Sequence, residues 1–129
     1  IDPDEKYLEW VRAGHDPALV YSPDKDEFEE LKGSGIALGV SDGIQYSQNR
    51  KTGLVNGQII AIGTDGIWEA FNTSGEMFGK ERYQDIIRKY ADRSADEILD
   101  GVYRELNDFT LGRKSDDDIT LVIAKINDL

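Results

Sequence analysis

The chain contains no cysteine, so it can form neither a disulfide framework nor a metal site built on thiolates. No run of apolar residues approaches the roughly 20 that a membrane-spanning helix requires. The motif Gly-x-x-x-x-Gly-Lys-Ser/Thr is also absent, which excludes a nucleotide site of the P-loop type. Histidine occurs once, as His15. Carboxylates are therefore the most abundant chemically active side chains.

Basic residues are in the minority. Lysine and arginine number 15 against 26 aspartates and glutamates, which gives a formal net charge of −11. That charge repels phosphate backbones and anionic lipids, so roles on nucleic acids and at membrane surfaces are disfavoured. It suits the binding of divalent cations, although simple solubility explains most of such an excess. With 129 residues, of which 39% are hydrophobic, we expect one globular domain. The lack of cysteine fits a reducing cytosol, and we expect a cytoplasmic location.

The first half of the chain is rich in short β-forming segments. Strands are predicted over residues 6–12, 18–22, 27–31, 45–51, 59–62 and 119–126. The turn cluster Ala13–Pro17 separates the first two and predicts a hairpin between them. The glycine-rich stretch Gly33–Gly43 predicts an irregular connection. The last two strands are apolar on both faces, which is typical of buried strands.

Helical signals follow in the second half. Apolar residues recur with helical spacing in Lys80–Tyr90, which predicts a helix with one buried face. Ser94–Glu97 has the pattern of a capping box and predicts the start of a second helix. A short helix is also expected at Ile67–Phe71. Because strands and helices are segregated along the chain, the pattern predicts an α+β layered fold and not a repeated βαβ unit.

Two acidic segments stand next to the two most apolar strands. Strand 59–62 leads directly into Asp65 and Gly66, and the run Asp116–Asp118 comes just before strand 119–126. If the strands are neighbours, these carboxylates could share one Mg²⁺ or Mn²⁺ ion, since both cations prefer oxygen ligands. The alternative is that Asp65 forms an Asx turn and the aspartate run is a solvated loop. Spacing alone leaves both interpretations open.

Five segments carry a resemblance to a known family. They are residues 13–17 (AGHDP), 35–40 (GIALGV), 64–70 (TDGIWEA), 72–79 (NTSGEMFG) and 117–121 (DDITL). In this order they resemble the PPM-type metal-dependent protein serine/threonine phosphatases, specifically the branch of stage II sporulation protein E and RsbU-like proteins. The resemblance implies a layered β-sandwich flanked by helices.

The resemblance also implies a site. Asp65 and Asp117 are expected to ligate the same ion of a pair of divalent cations, Mn²⁺ or Mg²⁺. Asp118 falls where related enzymes have asparagine, and we treat it as secondary. Asp116 is expected to lie outside the ligand set, and Gly66 to let the backbone pass close behind the site.

The implied activity is hydrolysis of phosphoserine or phosphothreonine on a protein by metal-activated water, with no protein nucleophile. The implied substrate is an anti-sigma-factor antagonist in a partner-switching pathway. The alternative is a catalytically inactive pseudophosphatase or a regulatory binding module. His15 is expected in a β-hairpin turn, where a structural role is favoured over a role as general acid. Arg12 stands where many relatives carry asparagine, and the sequence gives no consequence for that difference.

The N-terminal motifs of the family do not occur in this chain. We therefore expect residues 1–129 to form the C-terminal portion of a single PPM-type domain, with N-terminal strands and helices missing. Such a portion is expected to be inactive alone. It is also expected to form homo-oligomers, because strands 59–64 and 119–126 would expose apolar edges and faces.

Overall fold

The computed structural model describes residues 1–113 and 117–129. The strands of the described part are β1 (Tyr7–Val11), β2 (Ala18–Ser22), β3 (Glu27–Leu31), β4 (Gln48–Thr52), β5 (Ile59–Gly63) and β6 (Leu121–Lys125). The helices are α1 (Gly79–Lys89) and α2 (Ala95–Thr110). In this part of the chain, no helix is both long and apolar enough to cross a membrane.

The strands form two separate sheets. Four of them make an antiparallel sheet in the order β3-β2-β5-β6, whereas β1 and β4 form an antiparallel ribbon. The predicted hairpin between β1 and β2 is therefore wrong. β1 pairs with β4 and not with β2, and Leu8 of β1 joins Val20 of β2 and Ile60 of β5 in one buried cluster between the ribbon and the sheet. The turn at residues 13–17 instead carries the chain from one sheet to the other.

Two hydrophobic clusters cover the two faces of the four-stranded sheet. The cluster on the helical side contains Ile59, Ile87 and Ile98, all with 0% exposure. The cluster on the ribbon side contains Leu8, Val20 and Ile60. The molecule is thus layered as helices, sheet and ribbon, as expected for an α+β fold.

The inner strand β5 is buried on both faces only along its first part. Ile59, Ile60 and Ala61 are at most 5% exposed. Ile62 is 41% exposed, and its cross-strand partner Val122 is 51% exposed. The prediction of a fully buried strand therefore holds for three of its four residues and fails for Ile62.

Both long helices are confirmed. Tyr83, Ile86 and Ile87 form the buried face of α1. The predicted capping box is present at the start of α2, where the Ser94 side chain accepts from the Glu97 backbone N–H and the Glu97 carboxylate accepts from the Ser94 N–H. The hydrogen bond from the Ser94 backbone N–H and, second, one from the Ser94 hydroxyl to the Glu97 carboxylate lower the pKa of Glu97.

The short helix predicted at Ile67–Phe71 is wrong. Residues 65–69 form turns, and the chain then pairs with residues 78–79. The Trp68 carbonyl accepts from Gly79 N–H at 2.9 Å, and the Ala70 carbonyl accepts from Phe78 N–H at 2.8 Å. Because a continuing helix would need these carbonyls for its own hydrogen bonds, the pairing stops it.

The capping box gives a test of local stability. Ser94→Ala removes the hydroxyl that caps α2, and we expect it to lower the free energy of unfolding by about 1 kcal/mol. Ser94→Asp, which restores a capping oxygen, is the matched control and should lie close to the parent. Urea unfolding followed by circular dichroism measures the difference. Equal midpoints for Ser94→Ala and the parent would contradict the assignment.

The exposed pair on β5 and β6 gives a test of association. Ile62 and Val122 lie side by side, and among the described strands β6 is an edge strand of its sheet, so we expect residues 1–129 to self-associate. Replacing both residues with threonine keeps β propensity and removes apolar surface. The double variant should therefore show a lower mass in light scattering at the same concentration. A monomeric parent would refute the expectation.

Candidate metal-binding edge

The end of β5 and the start of β6 meet at one edge of the four-stranded sheet. The ladder pairs Gly63 with Leu121 and continues beyond both strands, since Thr64 N–H donates to the Thr120 carbonyl at 3.1 Å. Asp65 follows this point on one side, and the segment 117–119 precedes it on the other. The structure thus brings together the two segments that the sequence analysis singled out.

The Thr64 side chain ties the two segments together. Its hydroxyl donates to the Asp118 carbonyl at 3.0 Å and accepts from Thr120 N–H at 3.0 Å. One side chain thereby satisfies two backbone groups of the opposite segment. Thr64 is the first residue of the motif 64–70, but its role as a bridge between the two segments was not predicted from the sequence.

Gly66 lies in close contact with the acidic segment. A Cβ atom at this position would stand 2.6 Å from the Asp118 carbonyl oxygen and 3.2 Å from its carbon. Any side chain would therefore push the Asp65 turn and the 117–119 segment apart. The absence of a side chain at Gly66 is needed for the close approach of the two backbones.

The aspartates themselves differ in their surroundings. Asp65, Asp117 and Asp118 are all exposed, but among these three, within the described residues, only the Asp117 side chain makes a hydrogen bond, in which its Oδ1 atom accepts from Asp118 N–H at 2.7 Å. Asp65 is held by its own backbone, because its carbonyl accepts from Glu69 N–H at 2.8 Å. Asp116 lies outside the described residues.

The turn at residues 13–17 stands at the same edge. Strand β2 is antiparallel to β5, so the start of β2 lies beside the end of β5. Lys80 links this turn to the turn after Asp65: its Nζ atom is 3.1 Å from an Asp16 carboxylate oxygen and 4.8 Å from the centroid of the Trp68 ring. Neither Asp16 nor Lys80 was identified from the sequence, because only the folded chain brings them together.

Arg12 also acquires a structural explanation. Its Nε atom donates to the His15 carbonyl at 2.7 Å, and its Nη1 atom donates to the Gly33 carbonyl at 3.3 Å. Gly35 approaches the Arg12 carbonyl so closely that a Cβ atom would lie 2.0 Å from it. Arg12 therefore fixes the 13–17 turn against the glycine-rich connection, a function for which a shorter asparagine side chain would lack the reach.

The described residues do not provide enough acidic or histidine side chains in one place to hold a metal ion. Asp65 and Asp117 contribute carboxylates of the type that Mg²⁺ and Mn²⁺ prefer. Within residues 1–113 and 117–129, however, no group of three or more acidic or histidine side chains is close enough to hold an ion. The described residues thus bring carboxylates of a suitable type to this edge but do not form a complete cation site there.

The Thr64 bridge can be tested directly. Thr64→Val keeps the shape of the side chain and removes both hydrogen bonds to the 118–120 segment, so we expect a loss of about 1 kcal/mol in unfolding free energy. Thr64→Ser retains the hydroxyl and is the control. Thermal unfolding measures the effect, and equal stability of the two variants would show that the bridge contributes nothing.

Comparison with known proteins gives the family. The family model "Stage II sporulation protein E (SpoIIE)" matches residues 1–127. The phosphoserine phosphatase RsbU of Bacillus subtilis is 29% identical over 125 residues, which cover 95% of this chain and 36% of RsbU. Protein IcfG of Synechocystis is 28% identical over 128 residues, 98% of this chain and 20% of IcfG.

Solved structures agree with the family match. The SiaA-PP2C domain of Pseudomonas aeruginosa superposes with a TM-score of 0.78 at 25% identity and covers 95% of this chain and 48% of that one. The PP2C phosphatase domain of SpoIIE from Bacillus subtilis superposes with a TM-score of 0.73 at 17% identity, over 95% of this chain and 34% of that one.

The chain thus spans about half or less of the length of each of these relatives. The similarity of fold confirms the layered PPM-type architecture that the motifs predicted. The match over residues 1–127 shows that the chain belongs to the stage II sporulation protein E family of PPM-type phosphatases.

Proposed function

We propose that this chain supplies the C-terminal part of a metal-dependent protein phosphatase that hydrolyses phosphoserine or phosphothreonine. The observation that carries the proposal is the junction of the Asp65 and Asp117 segments at one sheet edge, closed by the Thr64 bridge. Similarity to a phosphoserine phosphatase supports the same activity.

In this proposal, Asp65 and Asp117 hold one ion of a pair. When bound, the cations would supply an activated water and offset negative charge on the phosphoryl group. Gly66 and Thr64 keep the two carboxylate-bearing segments in register. The remaining ligands would come from the part of the relatives' domain that this chain does not span, and the chain alone would then be inactive.

The choice of cation follows the donor type. Carboxylate oxygens suit both Mn²⁺ and Mg²⁺. The SpoIIE phosphatase domain of Bacillus subtilis was solved after a manganese presoak, and RsbX was solved in complex with magnesium. These two ions are therefore the ones to compare in activity assays.

The proposed substrate is a phosphorylated anti-sigma-factor antagonist in the cytoplasm. The net charge of −11 makes nucleic acids and anionic membranes poor partners, which is consistent with a protein substrate. The assignment of substrate rests on the resemblance to RsbU-like proteins.

A second candidate is a regulatory module without turnover. The partial donor set of the described residues favours it, since fewer than three acidic or histidine side chains come together there. Phosphate release by a protein with the whole family domain separates the two, and titration of residues 1–129 with Mn²⁺ in a calorimeter shows whether this chain holds an ion by itself. Tight binding would indicate a self-sufficient site, whereas absence of binding would agree with a site completed by further residues.

Replacement of the proposed ligands is the main test. Asp65→Asn and Asp117→Asn, each made in a protein with the whole family domain, should lower phosphatase activity at least about 100-fold. The reason is that even residues that only orient a metal ligand contribute roughly 10–100-fold. Release of phosphate from a phosphoserine protein at fixed Mn²⁺ concentration measures the loss.

Asp24→Asn is the matched control. It makes the same change of charge in an exposed turn at the opposite end of β2, so activity should stay at the parental level. Asp118→Asn should fall between the control and the ligand variants. Full activity of Asp65→Asn with saturating Mn²⁺ would defeat the proposed function.

A further inference from the structure

Trp68 is a buried residue of the turn that begins at Asp65. The Asp65 carbonyl accepts from Glu69 N–H at 2.8 Å, and the Thr64 carbonyl accepts from Ile67 N–H at 3.1 Å. Trp68 lies inside this hydrogen-bonded turn and is only 8% exposed. Because the hydrogen bonds span Asp65 and Trp68 together, a displacement of Trp68 should displace Asp65 as well.

The indole ring of Trp68 lies against the end of β5. A Cβ atom at Gly63 would stand 3.3 Å from the Trp68 Cζ3 atom and 2.9 Å from the Ile67 Cδ1 atom. Glycine at this position therefore lets both side chains fold back onto the strand. Gly63 is the last residue of β5 and pairs with Leu121 of β6, so the ring packs directly against the β5–β6 junction.

Helix α1 contacts the same ring at two points. The Lys80 Nζ atom lies 4.8 Å from the ring centroid, within cation–π distance, and the centroid of the Tyr83 ring lies 5.8 Å away at a tilt of 43°. Lys80 and Tyr83 are three residues apart and therefore lie on one face of the helix. Gly79, the first residue of α1, donates its N–H to the Trp68 carbonyl at 2.9 Å. The side chain and the backbone of Trp68 are thus both held by the start of α1.

Tyr83 contributes packing to this contact. It is 1% exposed, and within residues 1–113 and 117–129 its hydroxyl has no hydrogen-bond partner. Burial raises the pKa of this hydroxyl, so the group stays neutral. The contact between α1 and Trp68 therefore depends on the two aromatic rings and on the Lys80 ammonium group.

The Asp65 carboxylate depends on this turn for its position. It is exposed, and in the described part of the chain no group donates a hydrogen bond to it. We propose that Trp68, held by Lys80 and Tyr83, is a positioning residue that orients Asp65 toward a divalent cation; this rests on the proposed function.

A positioning role differs from simple core packing in what it affects. A residue that only fills the core changes stability and leaves the affinity for a cation as it was. A residue that orients a metal ligand contributes roughly 10–100-fold to metal affinity. Loss of the Trp68 ring should therefore weaken cation binding while every ligand remains in the chain.

The test measures Mn²⁺ binding by a protein with the whole family domain. Trp68→Leu keeps an apolar side chain and removes the ring that Lys80 and Tyr83 contact. We expect its dissociation constant for Mn²⁺, measured by calorimetry, to rise about 10-fold or more. Release of phosphate from a phosphoserine protein should fall at limiting Mn²⁺ and recover at saturating Mn²⁺. Trp68→Phe, which retains an aromatic ring, should lie between Trp68→Leu and the parent.

Ile98→Ala is the matched control for lost packing. Ile98 is fully buried in the same hydrophobic cluster as Trp68. It lies near the start of α2, where Lys125 donates to the Arg93 carbonyl, and Lys125 pairs with Ile59 at the opposite end of β5 from Asp65. This variant should lower the thermal midpoint and leave the Mn²⁺ dissociation constant at the parental value.

Two results would overturn the role of Trp68. One is a Trp68→Leu variant that loses thermal stability as Ile98→Ala does but binds Mn²⁺ like the parent. The other is a loss of turnover that saturating Mn²⁺ does not restore. Asp65→Asn separates the two proposals. If it keeps parental Mn²⁺ binding and turnover, the proposed function fails; if it loses both while Trp68→Leu loses neither, only the role of Trp68 is refuted.

Discussion

The hydrogen bonds between Thr64 and the 118–120 segment are the contacts on which the site depends. They extend the β5–β6 ladder beyond its last regular pair and hold two acidic segments about fifty residues apart in the chain. The absence of a side chain at Gly66 permits the same approach from the next turn. If this junction opened, Asp65 and Asp117 would lie on independent loops, and no shared cation could be held.

The junction brings two acidic segments of a strongly acidic protein to one edge of the sheet. Carboxylates of like charge on neighbouring segments repel each other, and the protein as a whole carries a net charge of −11. Lys80, the cation closest to this edge in the contacts described above, is paired with Asp16 and lies over Trp68. Lys80 therefore holds the 13–17 turn beside the acidic segments.

The sequence predicted the local structure well where the signal is local. Buried positions at helical spacing identified α1, and the Ser94–Glu97 pattern identified the start of α2. Strand pairing was less predictable, because it depends on segments that are distant in sequence: β1 pairs with β4, and Leu8 of β1 is buried in one cluster with Val20 and Ile60. The helix predicted at residues 67–71 does not form for a similar reason. Its carbonyl groups accept hydrogen bonds from residues 78–79, which are distant in sequence from the predicted helix.

The candidate site likewise contains residues that a local motif predicts and residues that only the folded chain reveals. Asp65, Asp117 and Gly66 could be identified because each belongs to a contiguous motif that resembles a family. Lys80 and Arg12 could not, and the bridging role of Thr64, which opens the same motif as Asp65, could not either, because each acts by reaching a segment that is distant in sequence. Arg12 joins His15 to Gly33, and Lys80 joins Asp16 to Trp68. Residues of this kind determine how accurately the motifs are placed, and only the packing of the folded chain reveals them.

A single layer packed on the β5–β6 pair would account for both the exposed apolar residues and the partial donor set. Ile62 and Val122 lie only a few residues before Asp65 and after Asp117, respectively, at the same end of the β5–β6 pair. A partner layer that covered this pair would exclude water near the acidic edge and could bring further oxygen ligands to it. Exclusion of water strengthens the interaction of carboxylates with a cation. Burial of the apolar pair and completion of the metal site would therefore be achieved by the same contact.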